Sequence, residues 1–236
     1  MATTTSPPDQ GSLEARAHQS LVDWLVNEHP APGQPVPIRE FARTLGMSRT
    51  PVRSAVGRLY ERGLLAYDST TGFTVAIPSL SSIYELFEVR LMIESHSVRR
   101  FCQQHPKGAP KHIVGLVDEA ADLATRAVDD QAAYIAFREN DSKFHRSLVE
   151  LAELPRLLEM HSELHLSIHV TRAGMEAPLT HDRLDTAVAE HRQITDALDR
   201  GDMAAAQDAL ESHILRVRDQ TIVFLSKPRF GTAAVQ

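Results

Sequence analysis

Apolar residues recur every three or four positions through most of this chain, and the places where that rhythm stops divide it. From residue 81 onward the rhythm predicts six helices, at 81–104, 111–128, 131–153, 155–175, 181–200 and 202–226. Their breaks are "HPKGAP", Asp129–Asp130, Leu154–Pro155, "EAPLT" and Gly201–Asp202. Before residue 81 the pattern differs. Leu13, Ala17, Leu21, Trp24 and Leu25 predict a helix over 12–28, and "HPAPGQPVP" breaks it. A short helix follows at 38–46, ending at Gly46. Ser48 stands where a helix cap belongs, and Pro51 falls in the first turn of a helix at 50–62. Gly63 ends that helix. "LLAYDSTTGFTVAIP" then alternates apolar and polar positions around Gly72, which predicts a β-hairpin.

The expected fold is mainly α: an N-terminal winged helix-turn-helix, then an antiparallel six-helix bundle. The expected divisions are a disordered tail at 1–11, a DNA-binding domain at 12–78, a joint at 79–80, the bundle at 81–226 and a second tail at 227–236. The N-terminal tail is rich in Pro, Ser and Thr and lacks the apolar core of a signal peptide. No apolar run approaches the ~20 residues that cross a bilayer. One cysteine, Cys102, excludes an intrachain disulfide framework and fits a reducing cytoplasm.

The net charge of −6 is unsuited to nucleic acid when averaged over the chain, but it is unevenly spread. Residues 1–78 are neutral, and the bundle carries the whole deficit. Within 39–62, six arginines face only Glu40 and Glu61. In a helix-turn-helix the second helix reads the major groove with residues near its N-terminus. Here that end carries Ser48, Arg49, Thr50 and Arg53. Arg49 and Arg53 are four apart and share a face, while Val52, Val56 and Leu59 turn the other way. Arginine can fork onto guanine, and the hydroxyls suit phosphate or base edges.

The run "IREFARTLGMSRTPVRSAVGRLYERGLL…TTGFTV" resembles the winged helix-turn-helix of the GntR family of bacterial transcription regulators. Ser48-Arg49-Thr50-Pro51-Val52-Arg53 matches that family's most recognisable stretch. The resemblance implies DNA contacts from Arg39, Arg49 and Arg53, with Gly72 at the wing tip. Many relatives carry a basic residue just before that glycine, where this chain has Thr71.

The bundle raises a different question. Asp141 and His145, four residues apart, sit on the apolar face set by Phe137, Phe144, Leu148 and Ala152. His191 interrupts the face of Leu184, Val188, Ile194 and Leu198. His213 interrupts that of Leu210, Ile214 and Val217. Four inward polar residues are costly unless each finds a partner. A buried hydrogen-bonded network would satisfy them, and so would a divalent metal, for which imidazole and carboxylate are good ligands.

"DSKFHRSL…EHRQITDALDRGDMAAAQDALESHI" is similar to the FCD effector domain of the FadR subfamily, in its shorter six-helix form. That resemblance implies a divalent ion held by Asp141, His145, His191 and His213, zinc or nickel first, iron or manganese second. Arg90 and Glu94, four apart, form either a mutual salt bridge or an arginine fork for an effector carboxylate. His161, His165 and His169 make a further row: a second metal site is one reading of it, and the other, which is preferred, sets His161, His165 and Arg172 at the pocket or its rim. The expected function is a homodimeric cytoplasmic repressor on palindromic operator DNA, released by a small organic acid bound at the metal. The competing expectation is a metalloenzyme using the same Asp/His₃ site on water or dioxygen.

Overall fold

A computed structural model describes residues 10–28, 30–105, 108–173 and 179–225. Of the expected tails at 1–11 and 227–236, residues 1–9 and 227–236 lie outside them, while Gln10 and Gly11 are helical. The described chain forms two units, divided between Pro78 and Ser79, with residues 169–173 grouped with the first.

The first unit begins with α1 (Gln10–Asp23), which runs directly into one turn of π-helix, Trp24–Glu28. The apolar pattern predicts a single helix here, because a five-residue segment cannot report the change of pitch. Trp24 is buried and meets Phe41 edge to face, at 5.7 Å between ring centres. α2 (Ile38–Thr44) and α3 (Arg49–Glu61) are the helix-turn-helix pair. Gly46 and Gly63 supply the left-handed backbone that closes each helix. Ser48 occupies the cap position of α3, but its side chain makes no capping hydrogen bond, contrary to the expectation from its residue type. Val52, Ala55, Val56 and Leu59 form the buried face of α3, which packs on α1.

β1 (Leu65–Asp68) and β2 (Gly72–Val75) pair antiparallel, Leu65 opposite Val75. Asp68 accepts from the backbone N–H groups of Thr70 and Thr71, at 2.8 and 2.9 Å, and so closes the wing turn. Residues 33–36 hydrogen-bond along the outer edge of β2, from Val36 N to Phe73 O and from Val75 N to Gln34 O. A proline-rich stretch thereby covers a strand edge that would otherwise be open.

The second unit is a six-helix bundle: α4 (Leu80–Gln104), α5 (Lys111–Arg126), α6 (Gln131–Glu150), α7 (Pro155–Ala173), α8 (His181–Arg200) and α9 (Met203–Leu225). Ser79, Asp130 and Thr180 cap α4, α6 and α8 with their side chains. Gly201, at φ 69°, ends α8. Arg100 donates to the carbonyl of Ala152 at 2.8 Å, meeting a backbone group that the end of α6 leaves over. α4 packs on α6 and α9, α8 on α9, and α5 on α6 and α8. Phe87, Phe144, Leu148, Ile194, Leu198, Leu210 and Ile214 are among the core side chains. That core surrounds a set of buried polar groups. Among the described residues no helix is long and apolar enough to cross a membrane.

Candidate metal centre and nucleic-acid interface

The bundle brings Asp141, His145, His191 and His213 together. One ligand atom from each lies within 4.8 Å of all the others. α6 supplies Asp141 and His145 one turn apart, α8 supplies His191 and α9 supplies His213. The three imidazoles are buried, and Asp141 is partly open. The Nε2 atoms converge: His213 to His145 at 3.2 Å, and His191 to His213 at 3.4 Å. Asp141 Oδ1 stands 3.6 Å from His191 Nε2 and 3.8 Å from His145 Nε2, too long for good hydrogen bonds. His191 stacks on Phe144 with 4.0 Å between ring centres, which fixes its plane.

The other side of the rings decides how these contacts are read. His145 Nδ1 lies 2.8 Å from Glu94 Oε2, and His213 Nδ1 lies 2.7 Å from Glu190 Oε2. A carboxylate only accepts, so each Nδ1 carries its proton and donates. When these rings are neutral, each Nε2 is then a bare lone pair. The 3.2 Å approach of His145 to His213 is therefore two lone pairs face to face, which repel rather than bond. A cation between them removes the repulsion. Ligands ~2.1 Å from one ion stand about 3.0–3.4 Å from each other, close to the spacings of His213 Nε2 from His145 Nε2 and from His191 Nε2. The donor set fits a single divalent ion.

Electrostatics favour the same state. Burial pushes the His213 imidazole down to about 4, partly opposed by its hydrogen bond to Glu190. Burial, then the neighbouring His213 and His145, holds His191 well below the ordinary histidine range. Both are neutral near pH 7, as ligands must be. Burial alone would raise Glu94, but the Arg90 guanidinium first, then the contacts of His145 and His161, hold it well below the carboxylate range. Glu190 is lowered too, against its burial, by His213 and by Arg216, which forks onto both of its oxygens.

Arg90 and Glu94 are completely buried and bonded at 2.8 Å, so the salt-bridge alternative describes their contact. The same Glu94 oxygen receives His161 Nε2 at 3.1 Å. Arg90 Nη2 and His161 Nδ1 remain buried without a hydrogen-bond partner. His165 is half-buried with its ring 5.5 Å from that of His161. The Arg172 side chain lies outside the described residues.

One participant, Glu190, escapes a reading of the sequence, and one contact of His161 does. Glu190 adjoins His191 and so falls about 100° away from it around the helix, on the flank of the apolar face. Only the packing of α8 on α9 turns it toward His213. His161 has a visible signal in its apolar side, but its partner is 67 residues away in sequence.

In the first unit, Arg39, Arg49 and Arg53 line one cleft of about 400 Å³ with Val36, Pro37, Ile38 and Glu40. Ser48, Arg49, Thr50 and Arg53 are all exposed at the start of α3. Gly72, at φ 80°, begins β2 at the wing turn with open space around it.

Comparison with known proteins divides the chain in a matching way. The pattern of the bacterial regulatory proteins of the gntR family matches residues 13–75, and that of the FCD domain matches residues 85–216. A Paenarthrobacter nicotinovorans protein named "Probable D-xylose utilization operon transcriptional repressor" is 30% identical over 77% of this chain and 76% of its own length. The HTH-type transcriptional repressor NanR of Escherichia coli K12 is 25% identical over 88% of this chain and 84% of its own length. Among solved structures, a transcriptional regulator GntR from Rhodococcus sp. RHA1 superposes with a TM-score of 0.74 at 24% identity, covering 90% of this chain and 98% of the other. E. coli McbR/YncC gives 0.72 at 19% identity, covering 89% and 97%. At those identities the likeness concerns the fold.

Proposed function

The chain belongs to the gntR family of bacterial regulatory proteins and carries an FCD domain, and from that premise we propose a metal-dependent, acid-responsive repressor of the FadR subfamily. As a member it is a DNA-binding transcription regulator and not an enzyme, so the metalloenzyme alternative falls away. The reading assigns operator binding to residues 12–78 and sensing to 81–226. Repression is supported by the names of the two relatives above.

Arg39, Arg49 and Arg53 carry the DNA contact in this reading, with Ser48 and Thr50 at the helix start and Gly72 at the wing. A homodimer in the cytoplasm would present two such faces to a palindromic operator.

The observation that carries the sensing half is the meeting of three imidazole Nε2 atoms, two of them turned inward by carboxylates. A divalent ion there, zinc or nickel before iron or manganese, would supply a positive centre with coordination positions open to an anionic ligand. Asp141, His145, His191 and His213 would hold it. Arg90 offers a buried N–H without an acceptor, and a small carboxylate effector would satisfy it. Glu94 holds Arg90 in place, while His165 and Arg172 are assigned to the rim.

The test is operator release. Titrate small carboxylic acids into metal-loaded protein on labelled operator DNA and follow anisotropy. We expect at least one acid to release wild type, and the same acid to fail on the chelated protein and on His191→Ala. Release that is the same in all three would remove the metal from the sensing step.

A further inference from the structure

Around Glu94 two buried polar atoms are left over. They are Arg90 Nη2 on α4 and His161 Nδ1 on α7. Both side chains are out of water, at 1% exposure each. A buried polar group without a partner is costly, and two of them in one place mark a position that something else fills.

A single oxygen brings the two together. Glu94 Oε1 accepts from Arg90 Nε at 2.8 Å and from His161 Nε2 at 3.1 Å. The other oxygen of Glu94 accepts from His145 Nδ1 at 2.8 Å. Each leftover atom is two covalent bonds from a nitrogen held by Oε1, so one small molecule can reach both.

The two atoms ask for opposite things. Arg90 Nη2 can only donate. A carboxylate only accepts, so the His161 ring proton is on Nε2, and in the neutral ring Nδ1 is a bare lone pair that accepts. Arg90 already balances the charge of Glu94, and an imidazolium would add a further positive charge to the interior. The molecule that answers both atoms therefore carries an acceptor for Arg90 and a donor for His161. A carboxylate is the acceptor that a guanidinium holds best. An ammonium group could donate, but it would bring another cation beside Arg90. A hydroxyl donates without charge.

We infer that His161 selects the effector, and that the acid sensed is a hydroxycarboxylic acid: its carboxylate meets Arg90 Nη2 and its hydroxyl donates to His161 Nδ1. The inference rests on the acid-responsive reading above and adds to it the class of acid and the residue that discriminates.

The test is calorimetric titration of the full, zinc-loaded chain with matched acids: lactate against propionate, malate against succinate, gluconate against hexanoate. Leaving a buried acceptor unpaired costs roughly tenfold or more in affinity. At least one hydroxy acid should bind that much tighter than its deoxy partner. Alanine and aspartate, which put an ammonium where the hydroxyl stands, should bind no better than propionate and succinate. His161→Leu removes the acceptor and should bring the hydroxy-to-deoxy ratio close to one. His161→Gln, whose amide can donate to Glu94 and still accept, should retain the preference. Circular dichroism and zinc content report whether each variant is folded, and the wild-type ratio needs no variant at all. Hydroxy and deoxy acids that bind wild type alike, or a ratio that survives in His161→Leu, would overturn the inference and leave the acid-responsive reading standing. Binding of none of these acids would overturn both.

Discussion

The arginine face of the first unit and the histidine cluster of the second are both sets of polar groups gathered by helices, but they face opposite solvents. Arg49 and Arg53 stand in water on a face whose apolar partners point the other way. His145, His191 and His213 have almost no contact with water. An exposed cation costs nothing to keep, so its removal should change binding and leave the fold alone. A buried donor must be matched on every side, so its removal should disturb stability, metal and response together. Function written on a surface is thus separable from folding, and function written in a core is not.

The strongest way to break this contrast is at Glu94. It is fully buried and compensates Arg90 while orienting His145 and His161. Glu94→Ala should destabilise the bundle by about 3–5 kcal/mol, the cost of leaving a buried charge unpaired. Thermal unfolding followed by a bundle-specific probe would measure it. An equal loss in the helix-turn-helix unit, or no loss at all, would contradict the assignment.

Metal removal comes next. An ion bound only by the folded state, at 100 times its dissociation constant, contributes about 2.7 kcal/mol. Chelation should lower the bundle's melting temperature accordingly and leave the first unit folded. The chelated protein then has a definite pH response. His191 and His213 are lowered in the folded state, by burial first, the latter from 6.5 to about 4. The unfolded chain therefore binds more protons in that interval. Stability is present above about 6.5 and is lost as pH falls toward 4. Denaturant titrations of metal-free protein at a series of pH values should trace that decline. A flat profile would mean the imidazoles are not neutral and buried as described.

The arginine face should give a smaller and cleaner effect. Arg49→Ala or Arg53→Ala should each cost about 1–3 kcal/mol of specific operator affinity, with melting curves unchanged. Wild-type binding should weaken with salt, with a log–log slope near −0.9 per phosphate neutralised. Footprints indistinguishable from wild type at equal salt would remove these residues from the interface.

The same contrast explains what could be read from sequence. The order of helices, turns and wing was legible because Gly46, Gly63, Gly72 and Gly201 punctuate strong periodic runs, and each adopts positive φ. The four ligand candidates were legible because each interrupts an apolar face at helical spacing. Glu190 was not, because a flank position says nothing about which neighbour it will meet. The double duty of Glu94 was half legible: its spacing from Arg90 predicts their contact, but His145 and His161 reach it only through tertiary packing. The π-turn at Trp24–Glu28 and the missing Ser48 cap bond are local geometry that residue type does not dictate.

The central claim is that Asp141, His145, His191 and His213 hold one divalent ion. Elemental analysis of wild type, purified without chelator, beside His145→Ala and His213→Ala tests it most directly. One ion per chain in wild type, and little in either variant, is the result expected. Equal metal in all three, or none in wild type, would make the cluster a buried polar network and nothing more.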